Sequence, residues 1–310
     1  MGGAPFIEEA PGTFGGYLPE RARSIYSLVG VPFDSTSSYR SGQRWGPRAI
    51  REASAFIEFT SLHAGLDVEE VPIYDEGDVG VVHGDARETL RRVSAATRAL
   101  AGEGRRLIVL GGEHTVTYGV LEGLASALGR TPCLVVLDAH FDLRGDYLGN
   151  PYSHACVMRR VLERLHPPRV YYVGVRGFAR EELELASSRE GVAYSTSLDV
   201  ERLGEANVAA RVKRFLGECG SVYLSVDLDF LDPSQAPGVG NPEPGGLTFR
   251  EALNLIHAIV DERLVGFDVV ELAPPHDPAG LTAVVAAKLV VEVVAAHARA
   301  LRRARRRGGV

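Results

Sequence analysis

The chain has 310 residues, 45% hydrophobic and 24% charged, a globular balance that excludes disordered, collagenous and low-complexity classes. Its formal net charge of −6 argues against a general nucleic-acid binder, and the basic run Arg302, Arg303, Arg305, Arg306 and Arg307 reads as a helix end whose cations suit the helix dipole. Cys133, Cys156 and Cys219 form neither a disulfide framework nor a Cys-x-x-Cys pair, which points to a reducing cytoplasm; no early segment has signal-peptide design, and no apolar run reaches membrane-spanning length.

Residues 1–23, containing MGGAPFIEEAPGTFGG, read as an extended N-terminal segment before a single domain covering 1–310. From there short apolar runs alternate with amphipathic ones. In chain order the pattern predicts strand Ile25–Val31, helix Pro47–Glu58, strand Ile73–Tyr74, helix Ala86–Ala101, strand Leu107–Leu110 and helix Val116–Leu128. Strand Cys133–Leu137, helix His154–Leu165, strands Val170–Val175 and Val192–Tyr194, and helix Ala206–Leu216 follow. Strand Val222–Val226, helix Phe249–Asp261, strand Val265–Val270 and helix Ala283–Leu301 complete it. Runs such as LIVL and VYYVGV are apolar on both faces, as parallel strands covered on both sides must be. Pro47 suits a first helical position, and Thr248 with Glu251 makes a capping-box pattern. The class is α/β, with helices on both faces of a mostly parallel sheet.

Polar residues gather where these strands end. One strand runs into GGEHT and His114, another into Asp138, His140 and Asp142, a third into Asp227 and Asp229, a fourth into Glu271. Ligands of open parallel sheets bind beyond those carboxyl ends. Alternate strand residues share a face, so Asp138, His140 and Asp142 can converge, as can Asp227 and Asp229. Carboxylates so crowded repel one another unless cations neutralise them. Four aspartates and two histidines suffice for two divalent ions with shared carboxylates, and an oxygen-rich set with some imidazole favours Mn²⁺. A single aspartate–histidine pair would read only as a hydrogen bond, and Asp227 with Asp229 alone as a loop entrance; their conjunction changes that. Cys156, two positions after His154, points away from it on a helix and makes a poor Cys–His nucleophile. His63, His83, His166, His257 and His297 carry no motif and read as surface or helix-face residues, and His276 as a loop residue.

In order along the chain, GGEHT, DAHFD, SVDLDFLDPSQAPGVGNPEPGGLT and GFDVVELAPP resemble the ureohydrolase family of arginases and agmatinases, and VGVPFDSTSSYRSGQRWGPRAIREAS looks like the opening of agmatinases. The resemblance implies a three-layer α/β/α sandwich around a mostly parallel sheet of about eight strands. It implies two Mn²⁺ per subunit, held by His114, Asp138, His140, Asp142, Asp227 and Asp229. It also implies a guanidinium-binding Glu271, a proton-shuttling His154 and a proton-accepting Asp142, acting on a small cationic guanidino substrate in a cytoplasmic homo-oligomer, trimer or hexamer, with no nucleic-acid or membrane partner. Gly177 stands where arginases place an aspartate for the amino-acid head group, so agmatine, cleaved to urea and putrescine, is the expected substrate. N1-aminopropylagmatine, guanidinobutyrate and arginine are the alternatives. Asn241 replaces a commoner threonine. From other classes, a single-zinc deacetylase-like amidohydrolase would need only a subset of these ligands, and a non-catalytic regulatory homologue typically lacks some of them.

Overall fold

Apolar runs too short for helices and too oily for loops become the interior of one sheet in the computed structural model, which describes residues 3–307. The strands are β1 (Ile7–Glu8), β2 (Tyr26–Gly30), β3 (Thr60–Ser61), β4 (Leu66–Asp67), β5 (Ile73–Val79), β6 (Arg106–Leu110), β7 (Cys133–Leu137), β8 (Val170–Val175), β9 (Val192–Thr196), β10 (Val222–Asp227) and β11 (Leu264–Val270). The helices are α1 (Gly46–Ser54), α2 (Ala86–Gly102), α3 (Val116–Leu128), α4 (Val157–Arg164), α5 (Arg180–Ser188), α6 (Ser197–Leu203), α7 (Glu205–Leu216), α8 (Phe249–Ile259) and α9 (Leu281–Arg307).

Nine strands form the main sheet in the order β1-β5-β2-β6-β11-β10-β7-β8-β9. All pair in parallel except β1, which runs antiparallel to β5. The three-layer expectation holds, with nine strands in place of about eight because Ile7–Glu8 adds an edge. One face is covered by α1, α7, α8 and α9, the other by α2, α3 and α4, giving two apolar cores on either side of the sheet.

Several differences have physical causes. β5, expected to end at Tyr74, extends to Val79 through the charged stretch Asp75, Glu76, Gly77 and Asp78. Arg51, with a fully buried side chain, makes this possible: Nε donates to Asp75 Oδ2 at 2.8 Å, Nη2 to Asp75 Oδ1 at 2.9 Å and Nη1 to Asp78 Oδ1 at 2.6 Å. α5 and α6, rich in charge and capped by Glu182 and Thr196, were hidden for lack of an apolar stripe. α9 is long and apolar enough to cross a membrane, contrary to the expectation of no such run, but its most apolar window is 78% buried within the protein. His297, expected on a helix face, is buried there, with Nδ1 2.8 Å from Tyr26 Oη.

The cysteine expectation is also corrected: Cys133, opening β7, is disulfide-bonded to Cys219, just before β10, with Cα atoms 6.2 Å apart. Spacing of 86 residues carried no sign of it, because the pairing follows from β7 and β10 being neighbours in the sheet. The cysteine content is therefore no argument for a reducing compartment. Cys156 is free and buried, and burial pushes its thiol up to about 12, which removes it as a nucleophile.

Candidate metal centre and cleft

Four adjacent strands, β6, β11, β10 and β7, end side by side at the middle of the sheet, so the residues that follow them are neighbours by construction. His114 begins the turn into α3, Asp138 follows β7, Asp227 closes β10, and Glu271 follows β11. Gly112 is obligatory in the first of these loops, since a Cβ there would lie 1.9 Å from Phe33 O. Its carbonyl accepts from Glu271 N at 2.9 Å, locking the ends of β6 and β11 together.

His114 Nδ1 lies 3.1 Å from Asp138 Oδ2, 2.9 Å from Asp142 Oδ2 and 3.4 Å from Asp227 Oδ2. His140 Nδ1 lies 3.0 Å from Asp229 Oδ2 and 3.6 Å from Asp138 Oδ1. Two ligand sets result, each with its donor atoms within 4.8 Å of one another: His114, Asp138 and Asp227, and Asp138, His140 and Asp229. Asp138 belongs to both. The sequence-derived six therefore come together, with Asp142 beside the first set.

Whether cations fit can be read from the atoms that lack partners. His114 Nδ1 and Asp138 Oδ2 are buried and make no hydrogen bond, although they are only 3.1 Å apart. Both therefore remain free to bind a third group. The far side of the ring explains which nitrogen is free: His114 Nε2 is 3.0 Å from Ser225 Oγ, which donates to Asp268 Oδ1 at 2.6 Å. Asp268 is in turn bonded by Thr117 Oγ1 and Tyr223 Oη, each at 2.9 Å. Ser225 must then accept from Nε2–H, leaving the Nδ1 lone pair aimed into carboxylates, an arrangement that a divalent cation satisfies.

Electrostatics agree. Burial, then repulsion from Asp229 and Asp138, pushes Asp227 well above the carboxylate range. Burial and the Asp138 charge push Asp142 up to about 7. Burial opposes the charge on His114 and His140, yet their aspartate neighbours prevail and raise both well above the usual imidazole value. Without cations the cluster holds protons instead.

Backbone strain coincides with the site. Asp142 has φ 54° and Glu271 φ 68°. Left-handed conformations at non-glycine residues disfavour folding by on the order of 1–3 kcal/mol each, Glu more than Asp, and persist where surroundings over-determine them. Asp142 O accepts from Met158 N and Arg159 N of α4, both at 3.1 Å. Glu271 accepts from His114 N at 2.7 Å and Gln43 Nε2 at 2.9 Å. It is only 4% exposed, behind the cleft and not on its wall, and burial with the nearby Glu113 charge pushes it up to about 8.

His140, Asp142 and His154 line a cleft of about 370 Å³ together with Tyr39, Tyr147, Phe178, Asn241 and Glu243. His154 sits in the 3₁₀ turn His154–Cys156 before α4, and its setting was not legible in advance. Its Nδ1 donates to Thr36 O at 3.0 Å, while Asn241 Nδ2 and Ser38 Oγ each stand 3.3 Å from Nε2. Thr36 is held by buried Glu113, whose oxygens accept from Thr36 N at 2.9 Å and Thr36 Oγ1 at 2.6 Å. Burial lowers His154 to about 4, so it is neutral with the Nε2 lone pair toward the cleft. Sequence reasoning missed Thr36, Ser38, Gln43, Glu113, Ser225 and Asp268. For Asp268 a signal existed, a charge in an otherwise apolar strand.

A family model described as Arginase family matches residues 25–296. The chain is 39% identical over 294 residues to N(1)-aminopropylagmatine ureohydrolase of Thermococcus kodakarensis, covering 91% of this chain and 93% of that one. To the agmatinase of Bacillus anthracis it is 36% identical over 280 residues, covering 89% and 93%. Among solved structures, agmatine ureohydrolase of Thermoplasma volcanium superposes with a TM-score of 0.82 at 34% identity, covering 98% of this chain and 97% of that one.

Proposed function

Because the chain belongs to the arginase family, whose ureohydrolases cleave C–N bonds of linear amidines, we propose that it hydrolyses a guanidino amine, agmatine, to urea and putrescine. The observation that carries this is the pair of ligand sets sharing Asp138, open to the cleft through His140 and Asp142. A complete double set supports two cations over the single zinc of a deacetylase-like site, and over a regulatory homologue that has lost ligands.

His114, Asp138 and Asp227 would hold one ion and Asp138, His140 and Asp229 the other, with Asp142 alongside. Mn²⁺ in this place supplies Lewis acidity and lowers the pKa of water toward neutrality. The protein's own groups do the rest. Glu271, the expected guanidinium partner, stands behind the cleft wall, where its oxygens accept from His114 N and Gln43 Nε2; from there it positions the His114 loop, and direct contact with a guanidinium would require the wall in front of it to move. Asp142, 2.9 Å from His114 Nδ1 and lining the cleft, is placed to take the proton of the attacking water at its carboxylate once cations have displaced the proton it holds in the metal-free state. His154 receives a proton at Nε2 and passes it to the departing amine; burial that disfavours the imidazolium keeps that proton from resting there.

At the substrate tail, Gly177 leaves no carboxylate to hold an α-amino group, and Glu243 offers a partner for a terminal ammonium. A longer polyamine tail, as in N1-aminopropylagmatine, is a second reading, favoured by the aromatic walls Tyr39, Tyr147 and Phe178, on which cations settle. Urea release with added Mn²⁺ from agmatine, N1-aminopropylagmatine, arginine and guanidinobutyrate tests the assignment. Agmatine should give the highest kcat/KM, and a preference for either carboxylate-bearing compound would refute it.

A further inference from the structure

Away from the cleft, the turn between β3 and β4 meets α8 and α9 in a cluster that the proposed reaction does not use. One ligand atom from each of His63, His257 and Glu292 lies within 4.8 Å of the others. None of these residues lines the cleft. The two imidazole rings are nearly parallel, 13° apart with centroids separated by 4.9 Å. His257 Nε2 is 2.7 Å from Glu292 Oε2. The His257 and Glu292 side chains are 6% and 3% exposed, whereas His63 is exposed and open to solvent.

What surrounds the cluster holds it in place. A single guanidinium, Arg299 of α9, donates to the carbonyl of His63 at 2.7 Å and to that of His257 at 3.0 Å, fixing both histidine backbones. Ser61 Oγ donates to Glu292 Oε2 at 2.6 Å. Lys288 Nζ, 3.7 Å from Glu292 Oε1, is committed to Glu58 O and Thr60 O at 2.9 and 2.8 Å, so it does not occupy the histidine side of the carboxylate. Burial works against the Glu292 charge, but His257 and Ser61 hold its carboxyl below the usual range. Nε2 is the His257 nitrogen beside Glu292, while Nδ1, on the other side of the ring, is buried with no partner among the described residues.

We infer that His63, His257 and Glu292 form a second, non-catalytic metal site, for a borderline cation of the Zn²⁺ type, which clips the β3–β4 turn to α8 and α9. Two imidazoles and one carboxylate suit that cation, with solvent at a fourth position. Ligand atoms on tetrahedral Zn²⁺ stand about 3.3 Å apart. Reaching that spacing requires His257 Nε2 and Glu292 Oε2, now 2.7 Å apart, to separate by about half an ångström, and His63, held by Asn254 Oδ1 at 3.3 Å, to turn out of its stack on His257. The hydrogen-bonded carboxylate and the anchored histidine backbones supply the outer support that metal sites require.

The test compares total metal per chain in the Mn²⁺-loaded full-length protein after equilibrium dialysis against Zn²⁺, for wild type, His63→Ala and Glu292→Gln. The cleft ligands are identical in all three, so exchange of manganese for zinc there cancels. Wild type should hold one more ion per chain than either variant, with His63→Ala releasing urea at the wild-type rate. Equal totals in wild type and His63→Ala overturn the inference; equal totals in wild type and a folded Glu292→Gln do the same. The difference is read without any substrate, so an error in the proposed reaction would leave this result standing.

Discussion

Breaking the Cys133–Cys219 bond should destabilise the protein without touching its chemistry. The bond closes a loop of 86 residues. In the chain-entropy limit, a loop of that length constrains the unfolded ensemble by about 4.6 kcal/mol at 25 °C. With an unfolding entropy of about 2.1 cal/mol/K per residue over 310 residues, the midpoint should fall by about 7 °C. Cys133 opens β7 and Asp138 follows its end, five residues on, so the bond sits roughly 17 Å of strand from the metal ligands. Calorimetry of oxidised protein, of protein treated with reductant and of Cys219→Ser should show the drop in both altered forms, while kcat for urea release at 25 °C stays the same. An unchanged midpoint in both, with three titratable thiols in the untreated denatured protein, would refute the pairing. A fall in kcat at 25 °C would show instead that the strand end is less rigid than its buried ladder implies.

Asp138→Ala removes the ligand common to both sets and should abolish both metal binding and urea release; one fully retained ion, by metal analysis, would contradict the sharing. His154→Ala should leave metal content intact and lower kcat by roughly 10²-fold, the scale of a lost proton-transfer group, and metal loss would show that it acts otherwise. Metal-dependent stabilisation should grow as pH rises from about 5 to 8. The raised pKa values of Asp142, Asp227 and Glu271 mean that the metal-free folded state binds more protons than the unfolded chain in that window, so its stability falls as pH rises. His114 and His140 act in the same direction: their imidazolium stabilisation is present below the unfolded value near 6.5 and is lost as pH rises through the folded value. Bound cations displace those protons, and a midpoint difference between loaded and metal-free protein that is flat with pH would count against the assigned charges.

Strands β6, β7, β8, β10 and β11 were legible because nothing but a buried parallel strand explains runs such as Leu134–Leu137 with no polar face. That His114, Asp138, His140, Asp142, Asp227 and Asp229, proposed here as metal ligands, would gather at one place was legible for the complementary reason: a charge at the end of such a run has no bland environment to occupy. What escaped was set by long-range partners. β5, expected over Ile73–Tyr74, runs on to Val79 because Arg51, more than twenty residues earlier, neutralises Asp75 and Asp78. The disulfide depends on strand order, and strand order is not a local property. His154 had a recognisable motif, but its environment is made by Thr36, Ser38 and Asn241 from two distant loops.

Those distant partners reveal a device used twice. At His114, buried Asp268 holds Ser225, and Ser225 takes the Nε2 proton, so the Nδ1 lone pair faces the carboxylate cluster. At His154, buried Glu113 holds Thr36, and the Thr36 carbonyl takes the Nδ1 proton, so the Nε2 lone pair faces the cleft. In each case a carboxylate outside the cleft wall fixes a tautomer through one intermediate residue, and the tautomer decides whether the inward nitrogen can accept a cation or a proton. Thr36→Val tests how firmly Glu113 must hold this carbonyl, since it removes the hydroxyl that donates to Glu113 and accepts from His154 N while keeping the carbonyl, the Thr36 N bond to Glu113 and every cleft-facing atom. Losing one hydrogen bond to a charged group corresponds to about 1.5–3 kcal/mol, or roughly 10- to 100-fold in the population of the competent ring state. kcat should fall by that factor with KM and metal content unchanged. An unaltered kcat would mean that His154 needs no such orientation, and its place in the proton path would have to be given up.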